Sequence, residues 1–220
     1  MDGWMSLFLE KNTFTYYFFN PDDLKKVHHR LDTSSFTIHA HAFKEIFLNA
    51  NPAVQTSAAS PSLSFSNYFI GNDPSRWATK VKDYAQVTYD ELYKGIDMNV
   101  YAFGPNLKYD LIVEPNADAG QIQIQYAGAD QLFLQNGNLV IGTSVGDFTE
   151  QKPYAYQVLN GYKSEVSCKF QLKGDIITFS INKNYDHSLP LIIDPTLIFS
   201  TYTGSSADNF GFTATYDAAG

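Results

Sequence analysis

Gln131-Leu-Phe-Leu-Gln-Asn136-Gly137-Asn-Leu-Val-Ile141 decides the fold class of this chain. Two runs rich in apolar residues meet at an Asn-Gly pair. A type I′ turn needs φ > 0 at both central residues, and Asn-Gly is the pair that tolerates this best, so the stretch reads as a β-hairpin. The same pattern joins Tyr154–Leu159 to Lys163–Leu172 through Asn160-Gly161. On either side of these hairpins, Gly104-Pro105-Asn106 separates strand-like Ile96–Phe103 from Leu107–Glu114, and Lys173-Gly174-Asp175 leads into Ile176–Ile181. Upstream, Ser6–Glu10, Thr13–Phe19, Ser35–Leu48 and Ala85–Tyr89 have strand character.

Two places predict short helices. Asn20-Pro21-Asp22-Asp23 offers an Asn cap, a first-turn proline and early acids, so a helix of about two turns is expected over Pro21–Arg30. Asp73-Pro74 repeats the cap-and-proline pair and predicts a turn that sets Trp77 against the sheet. Residues 51–64, rich in Ala, Ser and Pro, read as a loop or a linker between subdomains. Leu191–Phe199 is a strand broken at Asp194-Pro195, where proline marks an edge, a bulge or a strand exit. No βαβ alternation occurs. The expectation is an all-β, mostly antiparallel chain: a β-sandwich or two packed sheets built from hairpins, with two short helices.

Composition agrees. The chain has 220 residues, 17 Phe, 15 Tyr and 2 Trp, enough to bury a core without staples. Its net charge of −8 opposes a phosphate backbone or an anionic membrane surface, so nucleic acid is excluded as a partner class. No run approaches the ~20 apolar residues of a membrane helix, and no signal peptide is visible at Met1-Asp2-Gly3-Trp4. The single cysteine, Cys168, rules out an internal disulfide and reads as a small apolar side chain within a strand.

Several residues invite chemistry. Gly142-Thr-Ser144-Val-Gly146 matches the G-x-S-x-G elbow of serine hydrolases, but that motif works on a strand–turn–helix, and here proline follows at Pro153. A turn between strands is the expected reading. His39 and His41 would share one face of a strand, with His28 and His29 nearby and His187 remote; no cysteine or close acid completes a metal set. Asp97, Asp110 and Glu114 on neighbouring strands could span a glycosidase's carboxylate separation, but a solvated hairpin face is the default. Tyr16, Tyr17, Tyr68, Tyr84, Tyr89, Tyr93, Tyr101 and Tyr109 either line a binding surface or fill the rim of the core, and the rim is favoured. No catalytic residue, metal site or cofactor is assigned.

Three stretches carry a resemblance: Asn67–Trp77; Tyr93-Lys-Gly-Ile-Asp97 with Leu107-Lys-Tyr-Asp110; and Pro190–Pro195 running into Phe199–Gly204. Together they resemble the β domain that precedes SBBP-type β-propeller repeats in large secreted bacterial proteins, many of them similar to gliding-motility-associated surface proteins exported by type IX secretion. The resemblance implies a β-rich module over 1–199, with a possible subdomain break near 51–64, and a truncated propeller repeat starting at 200–220. It implies a secreted or cell-surface setting and contacts to the following repeats, and it supplies no catalytic or ligand residues. The expected function is a non-catalytic structural or interaction module whose partner is a protein or a surface glycan. The alternatives are a carbohydrate-binding module using exposed aromatics and, last, a hydrolase.

Overall fold

The computed structural model describes residues 5–20, 22–23, 35–103 and 106–198. In chain order its strands are β1 (Met5–Leu9), β2 (Thr13–Phe19), β3 (Ala40–Phe47), β4 (Gln55–Tyr68), β5 (Ala78–Tyr93), β6 (Ile96–Phe103), β7 (Asn106–Val113), β8 (Ile124–Ala127) and β9 (Gln131–Gln135). They continue as β10 (Asn138–Thr143), β11 (Gly146–Glu150), β12 (Tyr154–Leu159), β13 (Tyr162–Val166), β14 (Cys168–Lys173), β15 (Ile176–Ile181), β16 (Leu191–Asp194) and β17 (Thr196–Ile198).

Every pairing among them is antiparallel, as expected. A six-stranded sheet runs β1-β2-β3-β8-β15-β14, and an eleven-stranded sheet holds the rest. The larger sheet forks. β16 and β17 both lie along β7, with Ile193 opposite Leu111 and Thr196 opposite Lys108. From that shared neighbour β16 leads to β12 and β13, while β17 leads to β11, β10 and β9. Pro195 is buried at the branch; without an N–H it cannot donate to a ladder, so the chain changes partners there.

Alternation decides what is buried. β2 turns Phe14, Tyr16 and Phe18 inward, and β3 does the same with Phe43, Glu45 and Phe47. The opposing sheet contributes Met98, Tyr109, Leu111, Phe148 and Ile193. Phe18 of the smaller sheet stacks on Phe148 of the larger one, with ring centroids 3.9 Å apart. The aromatic excess is therefore divided: among the described residues Phe14, Tyr16, Phe18, Phe43, Phe47, Tyr109 and Phe148 are buried, while Phe65, Phe69, Trp77, Tyr84, Tyr154 and Tyr162 are exposed.

The Asn-Gly hairpins form as read: Asn136 and Gly137 have φ of 53° and 85°, and Asn160 and Gly161 have 50° and 82°. Other expectations need correction. Residues 51–64 are not a linker, because most of them belong to β4, hydrogen-bonded along β5. Both faces of that ribbon are largely exposed, so its strand carries no hydrophobic alternation to read. Lys163–Leu172 is two strands, β13 and β14, that part at Ser167 and enter different sheets.

The helix at Asp73-Pro74 is a single 3-10 turn, Pro74–Arg76, capped by Asp73, which accepts the Ser75 N–H at 3.0 Å. Trp77 is not packed on the sheet. It remains 41% exposed, its indole N–H donating to Gly71 O at 3.2 Å and its ring meeting Phe69 edge-on. A second 3-10 turn, Ala119–Gln121, had no counterpart in the sequence reading. Of the helix expected over Pro21–Arg30, only residues 22–23 are described. Asn20 caps them as predicted, accepting the Asp22 and Asp23 N–H groups at 2.9 and 3.3 Å. The rest of that segment, with His28 and His29, and the proposed repeat at 200–220 lie outside the described residues.

Candidate functional site

Ser144 and Val145 form the tight turn between β10 and β11, so G-x-S-x-G sits on a hairpin, as its proline-broken sequel suggested. Thr143 Oγ1 closes the turn by donating to Gly146 O at 2.6 Å. The unexpected neighbour is His41, 103 residues away on β3. Its Nδ1 lies 2.9 Å from Ser144 Oγ, and its Nε2 lies 2.8 Å from Gly128 O. A carbonyl only accepts, so Nε2 carries the proton and Nδ1 is the bare acceptor for the serine hydroxyl.

A serine beside a histidine base is the seed of a nucleophile. The remaining groups are aimed elsewhere. The Ser144 N–H points to His41 Nδ1 at 3.3 Å, and the Val145 N–H points to Thr143 Oγ1 at 3.3 Å. The two amides flanking the hydroxyl are thus aimed at His41 and Thr143 rather than directed where an oxyanion would form. Asp130 lies 4.0 Å from Nδ1, the serine-facing nitrogen, whereas a triad carboxylate orients the opposite one. The geometry is that of a clamp: His41 ties the β10–β11 turn of one sheet to β3 and the Gly128 bend of the other.

The acids named from sequence separate. Asp97 accepts the Glu91 N–H at 2.7 Å, holding a bulge where Glu91 has φ of 52°. The Glu114 backbone bonds to Gly95 O. Asp110 instead joins residues from other strands on the outer face of the larger sheet. It accepts the Tyr101 hydroxyl at 3.1 Å, and partial burial and the nearby Asp194 carboxylate raise its pKa. Asp194 pairs with Lys108 at 2.8 Å. Beside them, Tyr154 and Tyr156 lie nearly parallel with centroids 5.4 Å apart, and Lys163 Nζ sits 3.9 Å above the Tyr156 ring.

The histidines also part. His39 precedes β3 and bonds Asp23 at 2.6 Å, while His41 serves the clamp. His187 packs on the Tyr185 ring at 4.1 Å. Among the described residues, no three His, Cys, Asp or Glu side chains converge as a metal set.

Of the tyrosines, Tyr16, Tyr89, Tyr93 and Tyr109 are core, and Tyr101 belongs to the Asp110 face. Tyr68 and Tyr84 lie on the feature that sequence reading missed. β6 accompanies β5 only from Gln86 onward, so residues 60–84 continue as a two-stranded arm beyond the sheet. Leu63, Phe65, Phe69, Ile70, Trp77 and Tyr84 are exposed along it. Between the arm and the β1–β2 turn lies a cavity of about 360 Å³, lined by Leu9, Ala58, Val87 and Tyr89 and, from the arm itself, by Tyr68 and Val81, with Glu10, Lys11, Lys82 and Asp83 beside them.

Against known proteins, a family model described as a domain of unknown function, DUF7948, matches residues 3–196. The chain belongs to this family. No curated protein and no solved structure matches it.

The DUF7948 domain has one further polar feature, in the middle of its core. Glu45 and Glu150 are each 1% exposed, on opposite sheets. Glu150 accepts the Tyr109 hydroxyl at 2.8 Å and the Tyr126 hydroxyl at 2.5 Å. Among the described residues, neither Glu45 oxygen nor the Tyr16 hydroxyl has a hydrogen bond of good geometry. The Tyr16 and Tyr126 phenols near Glu45 favour its ionised form. Burial and the Glu150 charge outweigh them and hold the Glu45 carboxyl well above the usual range. Burial raises Glu150 as well, against the pull of its two phenol donors. Burial thus works against ionising either carboxyl, and the charge of Glu150 adds to the penalty on Glu45. A period-2 signal existed in the sequence: Phe43-x-Glu45-x-Phe47 and Phe148-x-Glu150 place both acids on inward faces.

Proposed function

We propose that this DUF7948 domain is a non-catalytic interaction module of a secreted, cell-surface protein, and that its β4–β5 arm is the surface that meets a protein partner. The arm carries the reading. A two-stranded hairpin is marginal by itself in water, and exposed apolar patches on folded domains commonly mark contact surfaces. Here six large apolar side chains are displayed on a ribbon with little body beneath it. The clamp geometry of Ser144 and His41 supports a scaffold rather than acyl transfer. The surface setting, and a position before propeller repeats, rest on the three sequence stretches that resemble such proteins.

Hydrogen–deuterium exchange tests this reading on residues 60–84, in this chain alone at high dilution and in the intact surface protein that carries it. Slower exchange in the intact protein is expected; equally fast exchange in both would reject the arm as a contact surface. A second reading, glycan binding, is favoured by the near-parallel Tyr154 and Tyr156 rings with Lys163, Lys108, Asp194 and Asp110 around them. Apolar sugar faces stack on rings while carboxylates and ammonium groups take the hydroxyls. A glycan array with the Tyr154→Ala/Tyr156→Ala variant as control decides it: hits lost in the variant support the site, and no hits remove it.

A further inference from the structure

The outer face of the larger sheet carries a row of polar side chains that crosses six strands, from β12 through β16, β7, β6 and β5 to β4. Register places Ser57 opposite Thr88, Thr88 opposite Asn99, and Asn99 opposite Asp110. Ile193 faces Leu111, so Asp194 comes beside Asp110 at the next step, and Tyr154 stands opposite Asp194. We propose that this row seats a neutral, linear polysaccharide, which lies across the strands from the Tyr154 and Tyr156 rings towards Ser57. This rests on the glycan reading of the tyrosine pair, and it names the class of glycan and the path it takes.

Three observations carry it. The first is geometric. Along each strand the neighbours of the row, among them Tyr89, Met98, Val100, Tyr109, Leu111 and Ile193, are buried, so alternation turns the row itself outward. Neighbouring strands lie about 4.8 Å apart, so the row spans roughly 24 Å, room for an extended chain of about five sugar rings. The second is charge. Lys108 pairs with Asp194 at 2.8 Å, and Lys163 Nζ sits 3.9 Å above the Tyr156 ring. The charges of both lysines reach Asp110 as well. Two ammonium groups thus balance two carboxylates, and Glu165, opposite Tyr156, adds a further carboxylate at the margin. An acidic chain finds no surplus cation there, whereas a neutral one leaves every pair intact.

The third is hydrogen-bonding capacity. Thr88 Oγ1 donates to Asn99 Oδ1 at 2.7 Å, which orients the amide and leaves its Nδ2 as a donor without a partner among the described residues. Beside it, the Asp110 carboxylate accepts the Tyr101 hydroxyl and keeps further lone pairs. Sugar hydroxyls donate and accept, so one chain serves an amide donor and two adjacent carboxylates. The flanks suit its other faces. Lys108, Tyr101 and Gln86 line one side of the row, and Tyr156, Ile192 and Ile112 line the other, offering ring and aliphatic surface to the C–H faces of the sugars.

Titration calorimetry of the 220-residue chain with neutral gluco-, xylo-, manno- and galacto-oligosaccharides of increasing length tests the proposal. In at least one series, affinity should rise about ten-fold or more from the disaccharide to the hexasaccharide, as successive rings reach further along the row. This length dependence is read on the wild type and needs no variant. Asn99→Ala, roughly 14 Å from Tyr154, should weaken the hexasaccharide about ten-fold while leaving the disaccharide and thermal unfolding unchanged. Alginate, a linear polyanion, should not bind. Disaccharide binding that is abolished by Tyr154→Ala/Tyr156→Ala but does not strengthen with length would overturn the chain and leave the tyrosine glycan site standing. Tighter binding of alginate than of any neutral series would do the same. No binding in any series would also overturn the proposal: array hits lost in the tyrosine variant would then keep the glycan reading with a different sugar, and an array without hits removes both.

Discussion

The Tyr126 hydroxyl on β8 donates across the core to Glu150 on β11, so the two sheets of the sandwich share a buried hydrogen bond. Tyr109 donates to the same carboxylate. Removing the acceptor strands two buried phenols, and each unsatisfied buried donor costs about 1–3 kcal/mol. Glu150→Ala is expected to lower stability by about 3–5 kcal/mol, whereas Glu150→Gln, which keeps an acceptor oxygen, should cost markedly less. Urea unfolding followed by tyrosine fluorescence measures both.

The neighbouring Glu45 sets a pH dependence. Burial and the Glu150 charge raise its pKa, so the folded state holds a proton that the unfolded chain releases near pH 4.3. Stability from this group is therefore fully present below that pH and is lost as pH rises through the folded value. Glu45→Gln, a neutral near-isostere of the protonated acid, should raise the melting temperature at pH 8 and have a smaller effect at pH 4. An equal effect at both pH values would contradict a protonated Glu45.

The clamp predicts an order of costs. Ser144→Ala keeps its backbone N–H on His41 Nδ1, while His41→Ala abandons the Ser144 hydroxyl and amide and the Gly128 carbonyl together. His41→Ala should cost about 1–2 kcal/mol and Ser144→Ala under about 1 kcal/mol. A fluorophosphonate probe should leave Ser144 unlabelled, as read by mass spectrometry. Stoichiometric labelling would restore the hydrolase reading.

Gly128 supports the same clamp from beneath. It has φ of +92°, and an added Cβ would stand 3.0 Å from Ala42 O. Gly128→Ala should destabilise by about 1–3 kcal/mol, because it adds left-handed strain to a backbone clash. Thermal unfolding detects it.

Cys168 offers a reporter of folding. Burial pushes its thiol up to about 12, so little thiolate exists at neutral pH. Iodoacetamide should alkylate it far more slowly in the native chain than in denaturant. Comparable rates would place the thiol in solvent.

Much of this was written in local pattern. Asn136-Gly137 and Asn160-Gly161 specify hairpins because few other pairs accept two positive φ values, and Thr13–Phe19 reads as a strand, although its run of four aromatics leaves the inward face to the structure. β4 was not legible. Alternation records burial, and a strand exposed on both faces leaves none, so a run of Ser, Ala and Pro read as a linker. The split at Ser167 was hidden for a related reason: both halves of Lys163–Leu172 are β-like, and only the choice of neighbours separates them.

What the sequence alone determined is the class of structure and the hairpins that build it, since both follow from φ, ψ preference and strand propensity within a few residues. The tertiary structure decided which strands became neighbours: the fork at Pro195, His41 beside Ser144, Glu45 across from Glu150, and the arm that leaves the sheet. Those meetings span tens to more than a hundred residues. They are selected by how the whole aromatic core packs, which no local rule encodes.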